Sequence, residues 1–312
     1  MNTVIVAGSG NPGLADSIAE RLGIGVCRSV LSRFPDTELH AEIDETVRGC
    51  DVYLVQPTGP PIDSHLMELL FLADACRRAG AARLTAIVPY FGYARQDRRA
   101  KGREAVGGRL IADMLAIAGL ERIVAVDLHT AALEGFFSVP LEHLSAVSLL
   151  ANAIDEFVTG ETVIVAPDLG AVKLAERYGE LLRRPIAIVH KTRISGSEVA
   201  VRGIVGEVSG RAPVIVDDMI STGGTIEAAA SALLAAGCLR EITVAATHAL
   251  LVGPAIARLS ALPLKRIAAT DSLPAPEYGS LPAQVVSVAP ILAETVTRLN
   301  IGESMNELLR HR

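Results

Sequence analysis

Residues 214–225 read Val214-Ile-Val-Asp217-Asp218-Met-Ile-Ser221-Thr222-Gly223-Gly224-Thr225. A run of β-branched residues forms a strand and delivers two carboxylates. A Ser/Thr/Gly turn then opens a helix predicted over 226–234. Glycines let backbone N–H groups converge on an anion, the hydroxyls add donors, and the helix N-terminus adds positive potential. Asp217 and Asp218 suit the vicinal hydroxyls of a sugar beside that anion. Strand, polar turn and helix in this order make the repeating unit of an α/β protein with a largely parallel sheet, whose ligands bind at the carboxyl ends of the strands.

The same grammar extends along the chain. Short β-branched runs at 4–7, 52–55, 85–88, 123–126, 163–166, 186–189 and 242–246 predict further strands. Between them, helical patterns over 64–79 and 105–118 end at Gly80 and Gly119. Similar landmarks recur in both halves: 51–57 resembles 161–167, 85–89 resembles 213–217, and Asp127-Leu-His129 resembles Ala246-Thr-His248. This order predicts a duplicated domain with the halves meeting near residue 145, a first domain over 1–145 and a second over 146–312. Two basic loops, 95–103 and 191–193, are read as insertions that distinguish the halves.

Composition narrows the function classes. A chain of 312 residues suggests two domains at about 150 residues each. Half of its residues are hydrophobic and 21% charged, so both domains can bury a core, which excludes a disordered chain. Aromatics are scarce and Trp is absent, so the cores are aliphatic. The net charge of −6 argues against general nucleic-acid binding and against acidic membranes. No apolar run approaches a membrane span, and the N-terminus lacks the pattern of a signal peptide. Cys27, Cys50, Cys76 and Cys238 are far apart with no CxxC pair, which predicts buried reduced thiols rather than disulfides or a zinc site. The expectation is a soluble cytoplasmic protein with neither nucleic-acid nor membrane partners.

One motif match misleads. Gly8-Ser-Gly10-Asn-Pro-Gly13 follows a strand and precedes a helix, as a dinucleotide fingerprint does. Such a site needs an acidic residue ending the second strand, and residues 26–33 contain none. Pro12 also suits an ordinary first helical position. The reading is a plain strand-to-helix turn, and a nicotinamide-dependent dehydrogenase is set aside.

The 214–225 stretch resembles the phosphoribosyl-diphosphate loop of type I phosphoribosyltransferase folds. Further segments decide which branch: Phe34-Pro-Asp36-Thr37-Glu38, Arg48-Gly-Cys-Asp51, the 89–98 run ending Arg95-Gln96-Asp97-Arg98, Asp127-Leu-His129, Pro167-Asp168 and Lys191-Thr-Arg193. Together they resemble the ribose-phosphate diphosphokinase family over essentially the whole chain. The resemblance implies an α/β fold of two tandem phosphoribosyltransferase-like domains, each a mostly parallel sheet flanked by helices. The first would carry the ATP site, and the second the ribose 5-phosphate site and catalytic loop.

Residue by residue, the resemblance implies that Phe34, Asp36, Thr37 and Glu38 hold ATP across a subunit boundary, so that a homo-oligomer completes the site. Arg95, Gln96, Asp97 and His129 complete the nucleotide contacts. His129 and Asp168 match positions associated with Mg²⁺, an ion that takes few protein ligands plus water and phosphate oxygens. Asp217, Asp218, Ser221, Thr222, Gly223, Gly224 and Thr225, with Arg193, match the ribose 5-phosphate site, and Lys191 and Arg193 match the mobile catalytic loop. The implied reaction moves the diphosphoryl group of ATP to the anomeric hydroxyl of ribose 5-phosphate, giving 5-phosphoribosyl 1-diphosphate and AMP. Ser221, Gly223-Gly224 and Gly170-Ala171 depart from the commonest bacterial pattern, which bears on regulation and subunit number rather than on core chemistry. The alternative is a non-catalytic regulatory partner of such an enzyme, for which altered catalytic loops are expected.

Overall fold

The computed structural model describes residues 2–193 and 199–309. They divide into two compact units: Met1–Ser145 with Ser272–Pro274 and Ser287–Arg312, and Ala146–Asp271 with Ala275–Val286. The sequence divides once, near 145, by its repeats, which would place the C-terminal helix Ala289–Ile301 in the second half. By its contacts this helix sits in the first unit. There Tyr53 Oη donates to Asn300 Oδ1 at 2.8 Å, and Asn300 Nδ2 donates to Thr3 Oγ1 at 2.7 Å.

The first unit contains β1 (Thr3–Ala7), α1 (Pro12–Arg21), β2 (Val26–Cys27), β3 (Ser29–Arg33), β4 (Leu39–Ile43), β5 (Asp51–Val55), α2 (Ile62–Arg78), β6 (Arg83–Val88), α3 (Gly107–Ile117), β7 (Arg122–Val126) and β8 (Leu141–Leu144). Six of these strands form one parallel sheet in the order β2-β1-β5-β6-β7-β8. β3 and β4 form a separate antiparallel hairpin. Helix starts and stops follow local chemistry. Asn11 caps α1 through Leu14 N–H, with Pro12 at the first helical position. Gly80 and Gly119 take left-handed φ just after α2 and α3. One core, including Val6, Leu54, Ala86 and Ile123, packs on a face of the sheet.

The second unit runs α4 (Val147–Ile154), β9 (Thr162–Ala166), α5 (Val172–Leu182), β10 (Ile186–Arg193), β11 (Val199–Val205), β12 (Ala212–Ile220), α6 (Gly224–Ala235), β13 (Ile242–Ala249), α7 (Ala255–Ser260), β14 (Leu264–Thr270) and β15 (Ala283–Val286). The sheet order is β11-β10-β9-β12-β13-β14-β15, parallel except for the β10–β11 pair. Val163 and Val165 join one core cluster and Ile164 the other. Burial on both faces is why these strands read as unbroken apolar runs.

Topology corrects the repeat alignment by one strand. In each sheet a first strand lies beside the second and the third, and the remaining parallel strands follow in order. The first strand is therefore β1 in one unit and β9 in the other, and both read Thr-Val-Ile-Val-Ala. The motif comparison instead matched β5 to β9, β6 to β12 and β7 to β13. Doubly buried strands share one composition, so apolar resemblance alone lets the alignment slip to a neighbour. The pairing register removes that freedom.

With this alignment each unit inserts an antiparallel hairpin between its first and third strands: β3–β4 in one, β10–β11 in the other. The expected basic loop at 191–193 is corrected as well, because strand pairing runs through Lys191, Thr192 and Arg193. All four cysteines are buried and free. Burial pushes the Cys76 thiol up to about 12, which leaves it inert. Among the described residues no helix is long and apolar enough to cross a membrane.

Candidate active site

Polar loops cluster at the carboxyl edge of each sheet. In the first unit Arg95, Gln96 and Asp97 follow β6, and His129 follows the adjacent β7. Arg95 and Gln96 are exposed, and Gln96 N–H donates to the Tyr93 carbonyl at 2.9 Å in a turn where Tyr93 takes a left-handed φ of 64°. Arg98 is almost fully solvated and only loosely paired with Asp97, at 3.9 Å. His129 is exposed just beyond Asp127, another non-glycine residue with positive φ.

The glycine-rich turn after β1 is closed. Gly10 N–H donates to Gln56 Oε1 at 2.8 Å. Ser9 N–H and Oγ donate to Glu68 Oε2 at 3.2 and 2.6 Å, and Gln56 Nε2 donates to the same oxygen at 2.8 Å. A Cβ on Gly8 would lie 2.3 Å from Gln56 Oε1. The glycines of the misleading motif thus admit the protein's own amide, and a buried carboxylate stands where a phosphate would bind. Neither Gln56 nor Glu68 carries a spacing signal in the sequence; their partners lie many residues away.

The second unit presents the opposite arrangement. Asp217 and Asp218 lie on β12, and the turn 221–223 leads into α6. Gly223 has φ +75°, and no side chain caps the helix start. Arg258 braces this turn from α7: Nη1 donates to the Thr222 carbonyl at 3.1 Å, and Nε pairs with Glu227 at 3.3 Å. No local pattern points to Arg258, since the contact depends on how α7 returns to the turn.

Asp168 follows β9, the neighbour of β12. It caps a short 3₁₀ turn by accepting from Gly170 N–H at 2.9 Å. Burial, the adjacent Asp218 and then Asp168 push the Asp217 carboxyl well above the usual carboxylate range, although Asp218 N–H donates to it. Carboxylate oxygens are the hard donors that Mg²⁺ takes. Among the described residues no group of three or more His, Cys, Asp or Glu is placed to hold a metal ion. A bound ion would therefore complete its shell with water and phosphate oxygens.

The twin hairpins carry the other candidate groups. Phe34, Asp36, Thr37 and Glu38 form the tip of β3–β4, tied by Phe34 N–H to the Glu38 carbonyl at 2.9 Å and Thr37 N–H to the Phe34 carbonyl at 2.8 Å. Asp36 Oδ1 accepts from Glu38 N–H at 3.2 Å, and Phe34 packs edge-on to His40 with half its surface exposed. Lys191 and Arg193 lie on β10 of the second hairpin. Their side chains, like residues 194–198, lie outside the described residues.

Comparison with known proteins decides the family. Residues 3–119 match the N-terminal domain of ribose phosphate pyrophosphokinase, and 196–310 match the phosphoribosyl synthetase-associated domain. A ribose-phosphate pyrophosphokinase of Caldanaerobacter subterraneus subsp. tengcongensis is 42% identical over 306 residues, covering 97% of this chain and 96% of the relative. One from Rhodopirellula baltica is 43% identical over 312 residues, covering 99% and 98%. The chain belongs to the ribose-phosphate pyrophosphokinase family. The phosphoribosylpyrophosphate synthetase of Mycobacterium smegmatis superposes with a TM-score of 0.91 at 38% identity, covering 97% of this chain and all of that one. Full-length relatives carrying the pyrophosphokinase name favour a catalyst of this family over its regulatory partner, despite the description of the second matched domain.

Proposed function

We propose that this chain transfers the β,γ-diphosphoryl group of ATP to the anomeric hydroxyl of ribose 5-phosphate, releasing AMP and 5-phosphoribosyl 1-diphosphate. The observation that carries the reading is the 217–225 turn, where paired carboxylates stand beside a helix start that no side chain caps. Ser221, Thr222, Gly223, Gly224 and Thr225 receive the 5-phosphate, and Asp217 and Asp218 accept from the ribose hydroxyls. Arg95, Gln96, Asp97 and His129 hold ATP on one subunit. The exposed tip bearing Phe34, Asp36, Thr37 and Glu38 reaches the ATP of a neighbouring subunit, which makes the enzyme a homo-oligomer.

In the reaction the anomeric oxygen attacks the β-phosphorus in line, the α–β bridging oxygen leaves with AMP, and the hydroxyl proton passes to solvent. Lys191 and Arg193 stabilise the negative charge that builds on the transferring oxygens, and Arg193 also contacts the sugar phosphate. His129 and Asp168 associate with Mg²⁺, which when bound neutralises charge on phosphate oxygens. Holding the two substrates in register supplies much of the remaining rate. The enzyme acts in the cytoplasm.

Phosphorus NMR of the protein with ATP, Mg²⁺ and ribose 5-phosphate tests the reading. AMP should appear together with a sugar-linked diphosphate. Intact ATP in the presence of inorganic phosphate would instead point to the regulatory partner. Lys191→Ala should lower kcat by about a hundredfold or more while ATP binding persists, because its contact strengthens only in the transition state. Ordinary turnover in that variant would remove Lys191 from the chemistry.

A further inference from the structure

The turn that presents His129 is held from behind by a residue outside the candidate site. Asp127 leaves β7 with φ +39°, a left-handed conformation unfavourable for a non-glycine residue. Such a backbone persists only where its surroundings over-determine it. Here β8 does so: Asp127 N–H donates to the Leu144 carbonyl at 3.0 Å, and Leu128 N–H donates to His143 Nε2 at 2.9 Å. His143 is 1% exposed, and its other ring nitrogen, Nδ1, lies 2.7 Å from Glu134 Oε1. Glu134 belongs to the 3₁₀ turn Ala131–Phe136 that follows His129, and Thr130 caps that turn.

We infer that His143 is a positioning residue, which fixes the backbone on both sides of His129 and so sets where that imidazole stands. Because Leu128 N–H donates to Nε2, that nitrogen carries the lone pair, and the ring proton resides on Nδ1 and is donated to Glu134. One imidazole thus binds the residue before His129 through one nitrogen and the turn after it through the other. A carboxylate as partner selects the tautomer that can do both. The functional consequence rests on His129 belonging to the nucleotide and metal site.

The test separates the bracket from that reading. In protein labelled with ¹⁵N at histidine, without nucleotide or metal, the His143 ring should show a proton on Nδ1 and a bare Nε2. Glu134→Gln, which keeps an acceptor, should preserve this pattern, and in Glu134→Ala, where Nδ1–H loses its partner while Leu128 N–H still faces Nε2, the Nδ1 resonance should shift. An Nε2–H tautomer in the parent protein would overturn the proposal.

In turnover assays His143→Leu removes the acceptor for Leu128 N–H and should lower kcat between about tenfold and a hundredfold, the scale of small displacements of a reacting group. His143→Gln, whose amide oxygen can accept that bond, should recover most of the loss. In a His129→Ala background, His143→Leu should cost nothing further; independent, multiplying losses would overturn the inference. If His143→Leu does not fold, Glu134→Ala in the same two backgrounds gives the same comparison. If His129→Ala alone turns over normally, the assignment of His129 fails, and His143 with it as a positioning residue, while the ring spectrum still reports whether the bracket exists.

Discussion

The turn after β5 and the turn after β12 occupy the same place in their two sheets and are built for opposite ends. Thr3 pairs with Asp51 and Thr162 with Ala212, so Gln56 and Pro57 stand where Asp217 and Asp218 stand. The first turn continues Thr58-Gly59-Pro60-Pro61 into α2. Three of its residues are prolines without an N–H. Its Thr58 hydroxyl accepts from Gly92 N–H at 2.7 Å, and its Gln56 amide is consumed by Gly10, Glu68 and the His65 carbonyl. The second turn has two glycines, three hydroxyls and a helix start without a side-chain cap. The two units share a strand order, and the second turn has glycines and hydroxyls where the first has prolines. A strand-to-helix turn that spends its polar groups on the protein itself, as the first does, has none left for an anion.

Of the two turns, the open one should show the larger effect when it is spoiled. Gly223 holds φ +75°, and a Cβ added there would meet nothing closer than 3.5 Å, so its need for glycine is conformational rather than steric. Gly223→Ala forces an L residue into the left-handed region at roughly 1–2 kcal/mol or displaces the turn. Displacing preorganised donors should lower kcat/KM for ribose 5-phosphate by about a hundredfold. Initial rates across a ribose 5-phosphate series check this, and an unchanged kcat/KM would mean that the open turn is not where the sugar phosphate binds.

The closed turn should respond in stability instead. Gln56→Ala strips a buried acceptor from Gly10 N–H and a donor from the Glu68 carboxylate, at about 1–3 kcal/mol for polar groups left unpaired. Urea unfolding should register that loss, with the KM for ribose 5-phosphate at the parent value. A KM that rises with the loss of Gln56 would erase the distinction between the two turns.

How far this contrast could be read beforehand depends on the range of the interactions. Local chemistry was legible: Pro12 at the first helical position, Gly80 and Gly119 after their helices, and the Asp217–Thr225 run each act within a few residues. The absence of an acid in 26–33 was enough to set the Gly8–Gly13 motif aside. What fills that turn was not legible, because Glu68 reaches Ser9 from 59 residues away. Strand-for-strand equivalence was misread for a related reason. Thr3–Ala7 and Thr162–Ala166 are identical, yet Asp51–Val55 is as apolar as either, and only pairing register distinguishes them. Both hairpins were missed because β3 carries Ser and Arg and β11 follows a stretch rich in Ser and Gly, neither of which reads as a buried strand.

The smallest change, in Asp217→Asn, is the most informative in sign. Burial and the neighbouring Asp218 and Asp168 raise the Asp217 carboxyl above its ordinary value of 3.8. Between that value and the raised one the folded state holds a proton that the unfolded chain has released, so folding stability falls as pH rises through this window. Either keeping that proton or ionising Asp217 beside its neighbours is thus a cost carried by the unliganded fold, the kind of local destabilisation common at functional sites. Replacing the acid by its neutral amide removes that cost. Asp217→Asn should therefore raise Tm relative to the parent, by an amount that grows from mildly acidic to neutral pH, while ribose 5-phosphate binds more weakly. Gln56, at the equivalent place in the other sheet, is a neutral amide, hydrogen-bonded through both its oxygen and its nitrogen and 0% exposed. A Tm that falls in Asp217→Asn, or a difference that shrinks as pH rises, would mean that Asp217 is held by the fold and not kept for a ligand.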